Sequence, residues 1–535
     1  MTTPAHPLLT DRPALLTALA QPKSYDLVVI GGGATGLGVA LDAALRGLSV
    51  LLLESHDFAK GTSSRATKLV HGGVRYLAQG NIALVREALH ERSNLLHNAP
   101  HLSAPLAFVM PGYKYWETPF YGVGLKVYDA LAGKAGLGST EFLSARQTAQ
   151  RLPGVNTKHL KGGVLYWDGQ FDDARLALAL ARTAAQQGAL LVNYCAVTDF
   201  IYEQNRLVGV HCQDGESGQQ FDIHAKCVVN ATGVWVDQLR EKDCVATGRP
   251  VRPMVVPSQG VHLVVDRDFL PSNHALLVPK TQDGRVLFAV PWLGKVILGT
   301  TDTPRHDLAR EPEAFSQEVQ FILGEAGKYL SRAPERKDVR SVWVGLRPLV
   351  KPPRAENAAG STKKISREHT VLVSSSGLVT VTGGKWTTYR AMAQDVLDKC
   401  VEAALLPALP PCITDRFMLI GGSHGCGGRA TLSQAPGIDA YGAEAQWVQA
   451  LTGHDKFLVE GFTEAMVRFA ARYEYARTVE DVLARRSRLL FLDARLAASL
   501  APRVAEILHQ ETSGEPALED FLALAEHYTL PVQFT

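Results

Sequence analysis

The chain has 535 residues, of which 46% are hydrophobic and 20% are charged. This composition is typical of a globular protein with two or three domains, and it excludes a disordered chain. The formal net charge is only +2. No global basic field would therefore attract nucleic acid, and we expect no nucleic-acid partner.

The cysteine pattern and the hydropathy of the chain indicate the cellular compartment in which the protein is expected. The seven cysteines form no Cys-x-x-Cys pair, which predicts a reduced, cytoplasmic protein with no disulfide framework and no metal site. The N-terminal residues lack the pattern of a signal peptide, and no run approaches the ~18 apolar residues of a membrane span. We therefore expect a protein that does not cross a membrane, although it could lie on the surface of one.

The first recognisable unit is a strand, a glycine turn, a helix and a second strand. Residues 25–30 are mostly apolar and rich in β-branched side chains, which predicts a buried parallel strand. Residues 37–47 predict a helix, and residues 48–53 predict a second buried strand. Together they form a βαβ unit of about 30 residues, the context in which a Gly-x-Gly-x-x-Gly turn binds a dinucleotide.

Each glycine of this turn has a physical role. We expect Gly31 to permit the tight turn, Gly33 to let a pyrophosphate approach the backbone, and Gly36 to let the helix pack on the strand. The helix N-terminus would offer N–H groups and partial positive charge to the phosphates. Glu54 ends the second strand, where a carboxylate can bind ribose hydroxyls, so the turn predicts a dinucleotide site.

The βαβ unit alone does not distinguish FAD from NAD. FAD is favoured because the fold begins at once with this unit. It is also favoured because residues 61–68 are rich in hydroxyls and cations, as a loop around an extended cofactor would be. By composition alone, that segment would be a solvated turn.

Several further blocks follow, and those at residues 71–76, 345–348 and 383–390 are together the most specific. The blocks are His71-Gly72-Gly73-Val74-Arg75-Tyr76, Tyr166-Trp167-Asp168, Asn230-Ala231-Thr232-Gly233, Gly299-Thr300-Thr301-Asp302, Gly345-Leu346-Arg347-Pro348 and Gly383-Gly384-Lys385-Trp386-Thr387-Thr388-Tyr389-Arg390. With the glycine turn, they make residues 25–390 closely resemble the FAD-dependent glycerol-3-phosphate dehydrogenases of the membrane-associated respiratory type.

The resemblance implies three units. A Rossmann-like α/β domain of the glutathione-reductase and D-amino-acid-oxidase type would bind FAD and comprise residues 20–100, 160–245 and 340–405. An α+β substrate-covering domain would comprise residues 101–159 and 246–339, and the short β-branched segments 261–265 and 286–290 agree with a sheet there. An all-helical C-terminal domain would comprise residues 411–535.

The resemblance also implies which residues hold the cofactor. They are Gly31, Gly33, Ala34, Thr35, Gly36, Glu54, Thr62, Ser63, Ser64, Lys68, His71, Val197, Ala231, Thr232, Gly233, Gly384, Lys385 and Thr387.

The implied reaction oxidises sn-glycerol 3-phosphate to dihydroxyacetone phosphate by hydride transfer to FAD, with electrons passed to a membrane quinone. A phosphate dianion needs paired cations and hydrogen-bond donors. Arg75 and Arg347 are the first candidates, with Lys385 and Tyr76 beside them.

Arg347 and Lys385 are also counted among the catalytic residues. His71 and His262 compete as the general base, a role that favours a pKa near 7. We favour His71 slightly, because it lies in the same block as Arg75.

The C-terminal region has helical periodicity, with an apolar face at residues 479, 482, 483, 489 and 490. Thr478 and Asp481 predict a capping-box-like helix start. Arg485, Arg486 and Arg488 could rest on anionic lipid headgroups, or they could pair with the flavin domain or a second subunit. The second alternative is favoured by sequence.

The resemblance implies a peripheral location on the inner face of the cell membrane, and it leaves a homodimer open. The alternatives are a glycerol-3-phosphate oxidase that uses O2, an amine or amino-acid oxidase of the same flavin superfamily, and a flavoprotein with only a binding role.

Overall fold

The structure, a computed structural model, describes residues 6–73, 77, 81–248, 252–281, 284–305, 307–351, 369–423 and 432–530. The predicted N-terminal unit is present. β1 (Ser24–Ile30) and β2 (Val50–Leu53) are neighbouring parallel strands connected by α2 (Ala34–Leu45). The helix begins at Ala34, within the glycine motif, rather than at residue 37, and its first amide donates to the Ser63 hydroxyl.

The first sheet has a parallel core that extends to one edge, with antiparallel pairs added elsewhere. In the described residues it has eight strands, with a main path of β17-β18-β10-β1-β2-β7. Its further strands are β7 (Leu190–Val192), β8 (Cys195–Glu203), β9 (Arg206–Asp214), β10 (Gln220–Asn230), β17 (His369–Val373) and β18 (Leu378–Gly383). This is the predicted Rossmann-like sheet.

The second sheet is largely antiparallel and has ten strands in the described part of the chain. They are β3 (Leu69–Val70), β4 (Ser103–Gly112), β5 (Glu141–Ser144), β6 (Gly162–Phe171), β11 (Val255–Asp266), β12 (Ala275–Val278), β13 (Leu287–Trp292), β14 (Lys295–Gly299), β15 (Thr303–Pro304) and β16 (Ser341–Val350). The strands predicted at residues 261–265 and 286–290 fall in β11 and β13.

Three strands of the second sheet come from segments that the sequence analysis gives to the flavin-binding unit. They are β3, β6 and β16, and each pairs with a strand of the second sheet. These segments therefore contribute to the second sheet and connect it to the first. The division of the chain into domains at the stated bounds stays a prediction.

The helices cover both sheets. They are α1 (Arg12–Leu19), α2, α3 (Ile82–Asn98), α4 (Glu117–Ala132), α5 (Ala145–Arg151), α6 (Asp173–Gln186), α7 (Val236–Thr247), α8 (Ser316–Tyr329), α9 (Tyr389–Glu402), α10 (Ala445–Gln449), α11 (Glu464–Tyr473), α12 (Asp481–Arg486), α13 (Leu489–Leu492), α14 (Ala494–Glu511) and α15 (Leu518–His527).

Packing follows the two sheets. α2, α6 and α9 bury their apolar faces on the first sheet. One face of the second sheet packs on α8, and its other face packs on the C-terminal helices. The C-terminal region is helical apart from one hairpin, β19 (Phe457–Val459) and β20 (Phe462–Thr463).

The C-terminal arginines are buried ion-pair partners of the unit that contains the glycine turn. Arg485 and Arg486 both bind the carboxylate of Asp57, with Arg486 Nη2 3.0 Å from Asp57 Oδ1. Arg488 Nη2 lies 2.9 Å from Asp173 Oδ1. The hypothesis that these arginines rest on lipid is wrong, because each has at most 2–3% of its surface exposed. The predicted pairing with the flavin domain is what the structure shows.

The predicted start of α12 is also present. The Thr478 hydroxyl accepts from the Asp481 amide at 3.2 Å, and the Asp481 carboxylate accepts from the Thr478 amide at 3.0 Å. This reciprocal pair fixes the helix that carries Arg485 and Arg486.

We expect the Asp57→Ala substitution to lower the free energy of unfolding by about 3–5 kcal/mol, because it leaves two buried guanidinium groups without their shared carboxylate. Burial opposes ionisation, but Arg486 and Arg485 hold the pKa of Asp57 below its ordinary value. Urea unfolding followed by tryptophan fluorescence measures the loss. The control is Asp398→Ala, which breaks an ion pair whose carboxylate is 51% exposed and should cost at most about 1 kcal/mol. Equal losses in the two variants would contradict the interpretation.

A histidine at the same junction links stability to pH. The His101 ring packs against Gly421. Burial, with Arg175 and Arg182 nearby, lowers its pKa to about 3. In the unfolded chain the same ring has a pKa of about 6.5. Below that pH the unfolded chain binds a proton that the folded protein does not, so stability falls as the pH falls.

We therefore expect the wild-type protein to lose about 1.5 kcal/mol more stability than the His101→Asn variant between pH 6.5 and pH 5. Urea midpoints measured across this range test the slope, and the two curves should run parallel above pH 7. Parallel curves over the whole range would show that His101 takes up its proton equally in both states.

Candidate functional site

The glycine turn excludes side chains at two positions. Gly31 has a φ of +111°, and its amide donates to the Leu53 carbonyl at 2.9 Å. A Cβ on Gly31 would lie 2.7 Å from the Ala231 carbonyl oxygen, and a Cβ on Gly36 would lie 1.9 Å from the Gly31 carbonyl oxygen. The strand, the turn and the helix can therefore approach this closely only with glycine at both positions.

The surroundings of the turn fit a dinucleotide. Gly33 caps α2 without a side-chain hydrogen bond of its own, and the first amide of the helix, that of Ala34, donates to the Ser63 hydroxyl at 2.9 Å, so the helix N-terminus faces this loop. Glu54 Oε2 accepts from the Gly32 amide at 2.7 Å, and Oε1 accepts from the His56 amide at 2.9 Å. A phosphate-binding helix end thus lies beside a fixed carboxylate, the donor and acceptor set that a pyrophosphate and a ribose require.

Residues 62–64 connect three distant segments. The Thr62 hydroxyl donates to the Leu346 carbonyl at 2.6 Å, and Trp386 Nε1 donates to the Ser63 carbonyl at 2.8 Å. In the described part of the chain, the buried Ser64 hydroxyl has no hydrogen-bond partner. That orphaned group fits a loop whose remaining contacts are supplied by a bound cofactor.

Lys68 lies beneath this loop. Its side chain is fully buried, with Nζ 2.7 Å from Asp173 Oδ2 and 2.6 Å from the Ser64 carbonyl oxygen. The rings of Trp292 and Trp343 lie within 5.2 Å of the ammonium. Burial lowers the pKa of Lys68 to about 7, while Asp173 opposes that shift. The ammonium therefore supports the loop from inside.

A second group of predicted cofactor residues follows β10. The Ala231 amide donates to the Ile30 carbonyl at 2.9 Å, which places residues 231–233 beside the glycine turn. Thr232 is fixed by its hydroxyl, which donates to Asn230 Oδ1 at 2.7 Å, and Gly233 has a φ of +64°. Val197, on β8, packs with the apolar cluster that ends β1 and β2.

The segments that contain His71 and Lys385 meet. The His71 amide donates to the Thr387 hydroxyl at 3.3 Å. Gly384, which precedes Lys385, has a φ of +69°, and a Cβ there would lie 2.4 Å from the Met392 sulfur. The two predicted substrate residues Arg75 and Tyr76 lie outside the described residues.

Sequence reasoning missed the group that holds the segment after His71. The Gly72 amide donates to the Tyr128 hydroxyl at 2.9 Å and to Asp168 Oδ1 at 3.3 Å. The Tyr128 hydroxyl and Arg92 Nη1 each lie 2.9 Å from the same carboxylate. Asp168 lies in the Tyr166-Trp167-Asp168 block, but its role in holding Gly72 depends on a contact between segments far apart in the chain.

Arg347 reaches across the second sheet. Its Nη2 donates to the Thr300 hydroxyl at 3.1 Å, and its Nη1 donates to the Gln259 carbonyl at 3.3 Å. A Cβ on Gly260 would lie 2.2 Å from Nη2, so the glycine leaves the space that the guanidinium occupies. The side chain is 24% exposed, which leaves part of the cation accessible to a ligand.

His262 lies one strand away from Arg347 and is neutral. β11 and β16 pair so that Ser258 faces Arg347 and His262 faces Trp343, and the His262 ring stacks on Trp343 at 4.1 Å. His262 Nε2 lies 2.9 Å from the Thr67 hydroxyl. Burial, followed by the charges of Arg347 and Lys68, lowers the pKa of His262 well below its ordinary value. The same burial and charges make the His262 ring a weak proton acceptor, which favours His71 of the two candidate bases.

A separate cleft of about 1020 Å³ lies between the second sheet and the C-terminal helices. Its walls include His101, Leu293, Tyr441 and Arg486. The residues predicted to hold the dinucleotide do not line it. The cleft therefore belongs to the junction of the units rather than to the turn at Gly31.

Two family models match the chain. Residues 26–390 match the FAD dependent oxidoreductase family, and residues 412–517 match the C-terminal domain of alpha-glycerophosphate oxidase. The first match covers the glycine turn, both sheets and Lys385. The second covers the helices from which Arg485, Arg486 and Arg488 reach Asp57 and Asp173.

The chain is similar to named proteins over nearly its whole length. It is 41% identical over 546 residues to the mitochondrial glycerol-3-phosphate dehydrogenase of Mus musculus, covering 96% of this chain and 74% of the relative. Its fold matches the glycerol-3-phosphate dehydrogenase of Bacillus halodurans complexed with FAD, with a TM-score of 0.76, 30% identity and coverage of 98% and 99% of the two chains.

A more distant structure shows the shared fold alone. The L-alpha-glycerophosphate oxidase of Mycoplasma pneumoniae with FAD bound has a TM-score of 0.56 at 17% identity, covering 74% of this chain and 99% of that chain. The identity and coverage of the nearer relatives, together with the two family matches, show that this chain belongs to the family of FAD-dependent glycerol-3-phosphate dehydrogenases.

Proposed function

We propose that the protein oxidises sn-glycerol 3-phosphate to dihydroxyacetone phosphate with FAD as its cofactor, and that the electrons pass to a quinone in the membrane. The observation that carries the proposal is the bond between the Thr62 hydroxyl and the Leu346 carbonyl. It fixes the predicted flavin loop directly beside Arg347, a partly exposed cation suited to a phosphate.

The cofactor would be held by the glycine turn and Glu54 at one end, and by residues 62–64, 231–233 and 384–387 along its length. When bound, FAD supplies an acceptor for the hydride that leaves carbon 2 of the substrate. The protein's part is to hold the substrate, to remove the hydroxyl proton and to exclude water from the reacting atoms.

Arg347 would bind the substrate phosphate. Thr300 and Gln259 fix the guanidinium in place before a ligand arrives, so little conformational freedom is lost on binding. Lys385 would add a second cation from the segment that meets His71, and Arg75 and Tyr76 would complete the anion site. Clustered cations favour a dianionic substrate over a zwitterion, which disfavours an amino-acid substrate.

The proton acceptor would be His71 or His262. His262 is neutral near pH 7 because burial and the nearby Arg347 suppress its protonation. The effects that suppress its protonation also make His262 a weak proton acceptor, which favours His71, while the positive charge of Arg347 would stabilise developing negative charge on the substrate. His71 lies in the segment fixed by Thr387, and the choice between the two rings is open to substitution.

The electron acceptor and the location are part of this proposal. A quinone dissolves in the bilayer, so an enzyme that reduces it must reach the membrane surface. None of the helices that the structure describes has the length and apolar content of a bilayer-crossing helix. We therefore propose a peripheral position on the inner face of the cell membrane. The second candidate function is oxidation by O2, favoured by the match of residues 412–517 to an oxidase domain.

Substitution of Arg347 tests the substrate site. We expect Arg347→Ala to lower kcat/KM for glycerol 3-phosphate about a thousandfold (~4 kcal/mol), because the charged contact to the substrate phosphate is lost. The flavin absorbance per protein should not change. The measurement is bleaching of the flavin spectrum by glycerol 3-phosphate without oxygen.

The matched control is Arg416→Ala, which removes an arginine that is 89% exposed and pairs only with the adjacent Asp415 among the described ion pairs. It should bleach like the wild type. Loss of flavin from Arg347→Ala would show that the residue supports the fold instead. Absence of bleaching in the wild-type protein would reject the proposed reaction.

The acceptor is tested by comparing two products in one assay. With glycerol 3-phosphate as donor, we expect the purified protein to reduce a short-chain quinone faster than it releases hydrogen peroxide in air. Peroxide as the main product, with little quinone reduction, would establish the oxidase function.

A further inference from the structure

Helix α4 has an outward face that is apolar, the reverse of an ordinary surface helix. The side chains concerned are large and between 47% and 80% exposed. We name them the α4 face: Tyr115, Trp116, Phe120, Val123, Val127 and Phe142.

The helical spacing explains the exposure. Trp116, Phe120, Val123 and Val127 follow an i, i+4, i+7, i+11 pattern and so lie on one side of the helix. The opposite side, which includes Leu125 and Tyr128, is buried. Contiguous apolar surface of this kind marks a binding site rather than scattered exposure.

Positive charge accompanies the apolar surface. Residues 113–161 contain seven Lys and Arg against three Asp and Glu, whereas the whole chain has a net charge of only +2. Lys161 Nζ lies 4.8 Å from the Tyr115 ring, and Lys114 Nζ lies 6.0 Å from the Trp116 ring.

Two of the three acidic groups serve the fold. The Glu117 carboxylate accepts from the Tyr113 amide at 2.8 Å. The Asp129 carboxylate accepts from the Thr140 amide at 2.7 Å. With Glu141 counted as well, seven cations against three carboxylates leave a formal excess of four positive charges in this stretch.

The buried side of α4 contacts the candidate active site. The Tyr128 hydroxyl accepts from the Gly72 amide, one residue after His71, and donates to Asp168. The same helix thus has its inner side against the segment that contains His71 and its outer side on solvent.

We infer that the α4 face is the surface by which the protein docks on a bilayer that contains anionic lipid. This inference deepens the membrane acceptor proposed above by naming the surface that meets the membrane. Trp and Tyr combine an apolar ring with a polar edge, and lysine side chains can extend past them to lipid phosphates, which is the chemistry of an interfacial helix.

A second copy of the chain fits this surface less well. A two-fold interface would place the same patch on both sides, so the lysines beside one α4 face would meet those of the other. Like charges brought together disfavour that association, whereas anionic headgroups neutralise them.

Vesicle flotation tests the inference with the full-length, FAD-loaded protein. The vesicles consist of phosphatidylcholine with phosphatidylglycerol, or of phosphatidylcholine alone. We expect the wild type to float with the anionic vesicles and to bind the neutral ones more weakly. The double substitution Phe120→Ser and Val123→Ser should lower partition into anionic vesicles by about tenfold or more.

The matched control is Phe457→Ser, which removes a 67% exposed ring from the C-terminal hairpin and should float like the wild type. Thermal melts check that both variants are folded. Equal flotation of the double variant and the wild type would overturn the inference, as would no flotation of the wild type. A wild-type dimer that the double variant converts to a monomer would also overturn it and would assign the face to a second copy. Flotation needs no turnover, so its result is independent of whether the proposed reaction is correct.

Discussion

Two buried carboxylates, Asp57 and Asp173, hold the C-terminal helices against the flavin-binding unit. Asp57 pairs with Arg485 and Arg486, while Asp173 pairs with Lys68 and Arg488. A lone charge at either position would be very costly to bury, so the units must dock in one arrangement that pairs every charge. Apolar contacts alone would be compatible with several positions of the C-terminal helices on this unit. The buried ion pairs restrict the helices to the position in which each charge has a partner.

That docking determines the shape of the candidate site. Lys68 and Arg488 both donate to the Ser64 carbonyl, so the loop of residues 62–64 is held from below by groups of two different units. From the side, Leu346 and Trp386 fix the same loop. A loop fixed from several directions loses little freedom when a ligand binds, and it keeps Arg347 in a constant position relative to the predicted cofactor.

The local sequence pattern was sufficient to predict the N-terminal βαβ unit. It was not sufficient to predict the contacts between distant segments that form the candidate site. Apolar runs, glycine spacing and the terminal acid predicted β1, the turn and β2, because those features depend on neighbours in sequence. The register that places Ser258 opposite Arg347 is a different kind of fact, since it depends on the pairing of two strands about ninety residues apart. Resemblance named Arg347 and His262, but only the structure shows that Gly260 makes room for the guanidinium and that burial keeps the imidazole neutral.

The chain has two clusters of positive charge, the C-terminal arginines and the lysines beside the α4 face. Sequence composition alone could not tell that one is buried and the other exposed. The arginines at 485, 486 and 488 and the lysines at 114, 126 and 161 have similar apolar neighbours in sequence. The arginines pair with buried acidic groups of a distant segment, and their charge is neutralised inside the protein. Lys114 and Lys161 lie beside the exposed rings of Trp116 and Tyr115, and all three lysines are exposed. The positive charge of these lysines therefore faces solvent.

Because Tyr128 on the same helix binds Gly72, a bilayer that met this surface would lie close to the segment that contains His71. An acceptor dissolved in that bilayer would then have a short route to the reduced cofactor, without any part of the chain crossing the membrane.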